Sequence, residues 1–231
     1  FKNLTRVESE LDCAIGCVEK FSPNALFLDG SVVPHPADKP NKESALFDDY
    51  ERVIAKFKQL YSACVKQNCF LAGVIKDSKG KNFLEALKEN AELEKEFFRA
   101  LNYSNDSSFI THLLKVGERT GFLKYSQNEL AVKDLGEWSG KISTAYIRAV
   151  EFDRPLRIDF LNASQKQSED GINLVYSLSK THRAYGYPAV LIEADLRATL
   201  DPKEMEFACH ELFSRLPNAN LTLRRNNRPF R

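Results

Sequence analysis

Asp29, Gly30 and Ser31 close a run of apolar residues, Ala25 to Leu28. Such a run reads as a short buried strand that delivers one carboxylate to the end of a sheet, and Gly30 lets the backbone turn immediately after it. Ligands of open α/β sheets gather at the carboxyl ends of strands. Asp-Gly is also common turn chemistry, so the motif gains weight only from its surroundings. A second apolar run, Phe70 to Ile75, ends in Lys76-Asp77-Ser78. Two strands joined by a long helix are expected to pair in parallel through a right-handed crossover. Asp29 and Lys76-Asp77 then lie at one edge of one sheet. For Lys76 the competing reading is a strand-end charge in solvent.

Other charged residues fall where they could join that edge. Glu10 borders the apolar stripe of a helix expected over 4–20 (Leu4, Val7, Leu11, Ala14, Ile15, Val18). It is either a solvated flank residue or a carboxylate leaning toward Asp29. Asp195 shares a helical face with Leu191, Ala194 and Ala198, so it points where apolar neighbours point. A carboxylate there needs an arginine or a cation beside it, and a structural salt bridge is as good an account as a functional one. His35, between prolines in HPADKPNK, is expected to be exposed. The tail carries Arg224, Arg225, Arg228 and Arg231, either a phosphate-contacting patch or a solvated end.

Hydrophobic spacing supplies the elements that must position these groups. A long amphipathic helix is expected over 44–67, with Asn68 as its cap, and further helices over 81–101 and 109–116, the latter ending at Gly117. Strands are expected over 121–125 and 142–150. After the turn at Asp153-Arg154-Pro155, Leu156, Ile158 and Phe160 alternate with Arg157 and Asp159, the pattern of a half-exposed antiparallel strand. A helix over 168–183 then stops at Tyr185-Gly186-Tyr187-Pro188. Pro188 suits the first turn of a new helix running to Leu200. Asp201, Pro202 and Glu204 open a last helix to Leu216. Trp138 could stack on a base, but is more naturally a loop anchor.

The 231 residues suffice for a sizeable core, and 43% hydrophobic with 28% charged residues is an ordinary globular balance. A net charge of +1 gives no global attraction to nucleic acid or membrane. Cys13, Cys17, Cys64, Cys69 and Cys209 form no CxxC pair and are odd in number, which predicts reduced, mostly buried thiols in a cytoplasmic protein. No apolar run approaches the ~20 residues of a membrane span, and no signal peptide is visible.

Taken together, DGSVVP at 29–34, GVIKDS at 73–78, PLRIDFL at 155–161 and YPAVLIEADLRATL at 187–200 resemble the NurA nuclease family, in order and in rough spacing, across nearly the whole chain. The resemblance implies an RNase H-like α/β fold, a mixed central sheet flanked by helices, in one domain over 1–231. It implies a homodimer that uses Mn²⁺ or Mg²⁺, in a two-metal site, and trims DNA ends beside a HerA-like hexameric ATPase. Asp29 matches a metal-binding aspartate on a central strand. Glu10, with Glu8 as rival, matches a glutamate on the preceding helix. Tyr187 matches the active-site tyrosine, and Asp195 takes a place held by His or Asp. Lys76 would neutralise phosphate charge, and Arg224, Arg225 and Arg228 would contact DNA. The resemblance also implies an earlier strand ending in a further Asp-Gly-Ser, which does not precede Glu10; it is expected upstream of Phe1.

The expected reaction is metal-assisted phosphodiester hydrolysis, since hard cations prefer carboxylate oxygens and keep positions open for water and phosphate. Two alternatives stand beside it. One is a catalytically degenerate DNA-binding or ATPase-adaptor module. The other is a phosphatase-like hydrolase with Asp29 as nucleophile, disfavoured because no second Asp lies two residues on and no Gly-rich phosphate loop is present.

Overall fold

The computed structural model describes residues 2–35, 38–76, 78–90, 101–125, 130–199 and 201–215. It divides into two compact units, Phe1–Leu191 and Ile192–Arg231.

The first unit is built on a mixed five-stranded sheet, β1 (Ala25–Asp29), β2 (Phe70–Ile75), β3 (Leu123–Lys124), β4 (Ile142–Ile147) and β5 (Leu156–Leu161), in the order β1-β2-β5-β4-β3. β1 and β2 are parallel, with Asp29 opposite Val74, and the remaining pairs are antiparallel. Helix α2 (Phe47–Lys66) makes the crossover between β1 and β2, as the sequence predicts. It buries Tyr50, Val53, Ile54, Phe57, Leu60, Tyr61 and Cys64, one stripe at helical spacing. α1 (Lys2–Phe21) lays Leu4, Leu11, Ala14, Ile15 and Val18 into the same core. Leu71, Ile142 and Leu161 complete that core from the sheet. α2 ends where Asn68 takes a left-handed φ of 53° and Cys69 N–H returns to the Cys64 carbonyl, a C-terminal stop of the kind Asn tolerates.

On the opposite face, α6 (Gln165–Ser179) buries Ile172 and Val175. A Cβ at Gly171 would lie 2.3 Å from the Phe70 ring, so only glycine lets the helix sit this close. Shorter helices α3 (Asn82–Asn90), α4 (Asp106–Thr111) and α5 (Leu130–Lys133) pack around the sheet. Trp138, in a 3₁₀ turn over Gly136–Lys141, has its ring 5.6 Å from that of Tyr61, so it is a loop anchor.

Helix α7 (Ala189–Ala198) follows Pro188 and passes into the second unit, where α8 (Pro202–Arg215) follows. The Asp201 carboxylate caps α8 by accepting from Lys203 N–H at 2.9 Å.

Several expectations need correction. β5 is no half-exposed strand: it lies between β2 and β4, every residue is buried, and Arg157 and Asp159 go inside together. β4 stops at Ile147 rather than Val150; the Arg148 backbone pairs with Gly117 and Glu118 instead, and its guanidinium donates to the carbonyls of Thr111, Leu114 and Glu151. The strand expected over 121–125 shrinks to Leu123–Lys124. α4 starts earlier than Phe109, because Asn105 accepts from Ser108 N–H and caps it. α6 ends at Ser179 rather than at Arg183. All five cysteines are free thiols, but only Cys64 and Cys69 are buried; Cys17 and Cys209 are half-buried and Cys13 is exposed.

Candidate functional site

The carboxyl ends of β1 and β2 lie side by side. Asp29 stands at the tip of β1, exposed, and Gly30 follows at φ 123°, where a side chain would strain the turn. Gly30 N–H continues the ladder by donating to the Val74 carbonyl at 3.1 Å. From the far end of the first unit, the Tyr187 hydroxyl donates to Asp29 Oδ1 at 2.6 Å and lies 3.3 Å from the Val74 carbonyl oxygen. Tyr187 is 7% exposed, so its hydroxyl is fixed by packing as well as by the bond.

Lys76, just beyond β2, joins this edge. Its Nζ lies 3.4 Å from Asp153 Oδ2 and 3.5 Å from the centroid of the Tyr185 ring. Asp153 Oδ2 also accepts from Gly186 N–H at 2.9 Å, and its Oδ1 accepts from Arg154 N–H at 2.8 Å. The β4–β5 turn thus holds both the lysine and the Tyr185-Gly186-Tyr187 segment. Sequence reasoning missed Asp153 and Tyr185. The sequence marks Asp153 only as a turn former and Tyr185 only as part of a helix stop, whereas the structure sets both beside Lys76.

Behind the tips lies a second polar centre. Gly73 of β2 pairs with Asp159 of β5, and Asp159 with Thr144 of β4, so the three form one cross-strand row. Asp159 is fully buried. Its Oδ1 accepts from Thr144 Oγ1 at 2.7 Å and Arg157 Nε at 2.8 Å. Its Oδ2 accepts from Ser31 Oγ at 2.7 Å and Arg157 Nη2 at 3.0 Å. Burial works against the Arg157 charge, but the adjacent Asp159 carboxylate outweighs it and holds the guanidinium pKa above its ordinary value. Arg157 Nη1 also reaches Ser78 Oγ at 3.4 Å.

The other expected site residues fare differently. Glu10, about half exposed, accepts from Arg6 Nη1 at 2.6 Å on its own helix. Glu8 is 3.4 Å from Arg52 Nε. Asp195 belongs to the second unit and is exposed rather than on a buried face. The reason is that α7 buries only Leu191, which leaves Ala194 and Ala198 at the surface as well. His35 is exposed, as expected. Asp77, Arg224, Arg225 and Arg228 lie outside the described residues.

A hard divalent cation requires several oxygen ligands. Asp29 fits as one of them, because a carboxylate offers about four acceptor positions and a single hydroxyl engages it here. Among the described residues no group of three or more His, Cys, Asp or Glu converges to hold an ion. Among the described residues Asp29 is therefore not part of a complete ligand set. No described helix is long and apolar enough to cross a membrane.

A family model described as the NurA domain matches residues 1–200. The fold is similar to that in the crystal structure of the NurA nuclease from Sulfolobus solfataricus, with a TM-score of 0.57 at 15% sequence identity, over 93% of this chain. The chain spans 66% of the length of that protein. No curated protein matches the sequence.

Proposed function

We propose, from the premise that this chain belongs to the NurA domain family, that it is a nuclease hydrolysing DNA phosphodiesters at the carboxyl ends of β1 and β2. The observation that carries this reading is the Tyr187 hydroxyl on Asp29 at the strand tip, two residues 158 positions apart in sequence. A phenol and a carboxylate brought together from so far, one of them exposed, suit the handling of a phosphate and its attacking water.

Each group has a chemical task. Asp29 offers acceptor positions for a hard cation or for the proton of a water. Tyr187 fixes the carboxylate's orientation and places a hydroxyl within reach of a phosphate oxygen. Lys76, steadied by Asp153 and Tyr185, supplies positive charge against the phosphodiester. A divalent ion of the Mn²⁺ or Mg²⁺ class, when bound, would activate water and neutralise the developing charge.

The remaining carboxylates of such a site are proposed to come from elements other than β1. Glu10 lies eleven residues before the end of α1 at Phe21. At a rise of ~1.5 Å per residue, that carries the helix back ~16 Å, close to the length of β1. Among the described residues β1 pairs only with β2. Its open edge suits a further strand bearing a further carboxylate. We further propose a homodimer that joins two basic edges into a DNA path, with Arg224, Arg225 and Arg228 as contacts, beside a HerA-like hexameric ATPase in end resection. A dimer of this kind concentrates positive charge that a chain of net charge +1 lacks.

The test is cleavage of linear and circular, single- and double-stranded DNA with Mn²⁺, Mg²⁺ or chelator, by the full-length protein and its Asp29→Ala variant. Metal-dependent cleavage that falls by about two orders of magnitude or more in Asp29→Ala supports the reading; equal cleavage by both sinks it. DNA binding without cleavage would favour the second reading, an adaptor module, which the incomplete carboxylate set among the described residues supports.

A further inference from the structure

The buried Asp159–Arg157 pair has no part in the chemistry above, yet it touches both loops that carry the chemistry. The loop after β1 crosses directly over Gly73: a Cβ there would lie 2.1 Å from the Gly30 carbonyl oxygen and 2.8 Å from Val32 N. Because Asp159 is the cross-strand neighbour of Gly73, the missing side chain opens the gap through which Ser31 reaches the carboxylate. Ser31 Oγ also accepts from Val33 N–H at 3.2 Å, and the Tyr61 hydroxyl donates to the Val32 carbonyl. On the other side, Arg157 Nη1 meets Ser78 Oγ at 3.4 Å, where Gly80 again leaves room: a Cβ there would stand 2.6 Å from Nη1.

We propose that Asp159 and Arg157 are positioning residues: a buried clasp that, through Ser31 on one side and Ser78 on the other, sets the register of the Asp29 and Lys76 loops against each other. Ser31 is the working end of the clasp. It lies two residues beyond Asp29, and its hydroxyl is the loop's side-chain tie to Asp159. Arg157 binds both oxygens of Asp159 and directs them, so that Oδ2 faces Ser31. The geometry explains why a salt bridge is retained in the middle of a sheet, where an apolar pair of similar size would often be as stable.

The inference rests on the nuclease reading for its catalytic consequence only. In the full-length protein, Ser31→Ala removes the tie and leaves the Asp159–Arg157 pair intact. A looser Asp29 loop should lower kcat for DNA cleavage by about tenfold or more, while KM stays within about twofold, because misplaced reacting groups cost rate rather than affinity. Ser31→Thr, which keeps the hydroxyl, should recover most of the rate. By hydrogen exchange, the Gly30 and Val33 amides should open about tenfold faster in Ser31→Ala, with the α2 core amides unchanged. Unchanged kcat and exchange in Ser31→Ala would overturn the clasp, as would a loss of kcat that Ser31→Thr does not recover. If the wild-type protein cuts no DNA under any condition, the nuclease reading fails by itself. The exchange measurement then decides the clasp alone: faster opening supports it and unchanged opening overturns it.

Discussion

Two aspartates of one sheet are treated in opposite ways. Asp159 is fully buried and accepts four hydrogen bonds, two on each oxygen. Asp29 is exposed at a strand tip and, among the described residues, its carboxylate is engaged by one phenol. A carboxylate with every acceptor position filled has nothing left to give a substrate or an ion, and its energy is spent on holding structure. A carboxylate kept exposed and singly bonded, by a tyrosine brought from the other end of the unit, is held in readiness. Ionised side chains are thus sorted by how completely the protein itself satisfies them, and not by their presence in a sheet.

The largest effect expected from this contrast is on stability at Asp159. Asp159→Ala leaves Arg157 buried without its partner, at a cost of about 3–5 kcal/mol. Chemical denaturation should show it. A loss below about 1 kcal/mol would mean that Asp159 is no more structural than Asp29, and would break the comparison. Asp29→Ala should do the reverse, changing stability by less than about 1 kcal/mol while cleavage falls by about two orders of magnitude. Tyr187→Phe, measured in the same assay, should fall between that variant and the wild type, since the ring stays and only the hydroxyl goes.

Gly73→Ala sharpens the contrast because it acts on both centres together. The added methyl meets backbone atoms of the 30–32 loop, not the yielding end of a side chain. Overpacking of this kind costs about 1–3 kcal/mol, and the displaced loop should carry Asp29 with it. Stability and activity are expected to fall together. An active, stable Gly73→Ala protein would show that the loop has slack there.

The smallest effect comes from a third carboxylate of intermediate character. Burial tends to raise the pKa of Asp134, but hydrogen bonds from Lys39 Nζ at 2.6 Å and Tyr50 Oη at 2.7 Å outweigh it and hold the carboxyl below its usual value. Because the folded pKa is the lower one, the stabilisation is present above the unfolded value of ~3.9 and is lost as pH falls through the folded value. The stability gap between Asp134→Asn and the wild type should therefore be full above the unfolded value of ~3.9 and narrow progressively as the pH falls below it. A constant gap across that window would exclude the carboxylate as the cause.

Much of this arrangement was legible in the sequence, and the part that was not has a physical explanation. The apolar runs ending in Asp29 and Lys76, with an amphipathic helix between them, fixed a parallel pair and therefore a common edge for both tips. The Tyr187-Pro188 stop and restart was legible because proline sets a helix start. By contrast, alternation over 156–161 suggested an exposed side for Arg157 and Asp159. Alternation reports which residues share a face, but a charged face goes inside when its members satisfy one another, and pairing at i, i+2 on a strand carries no mark in composition. The same limit applied to Asp195. A stripe of alanines reads as a buried face, yet nothing in the stripe says what covers it, and α7 leaves it at the surface. Ser31 illustrates the converse. It was read as part of a turn, and its partner lies 128 residues away.

Those distances along the chain have a consequence for how the protein comes into being. The bond between Ser31 and Asp159 closes a separation of 128 residues, and that between Tyr187 and Asp29 a separation of 158. Long closures of this kind form late, because loop entropy is lost before the contact repays it. During synthesis β1, α2 and β2 can assemble from local sequence, but Asp29 meets its phenol only after the ribosome has passed Tyr187. The topology thereby carries a timing device: the strand tip lacks its phenol until nearly the whole first unit has been made.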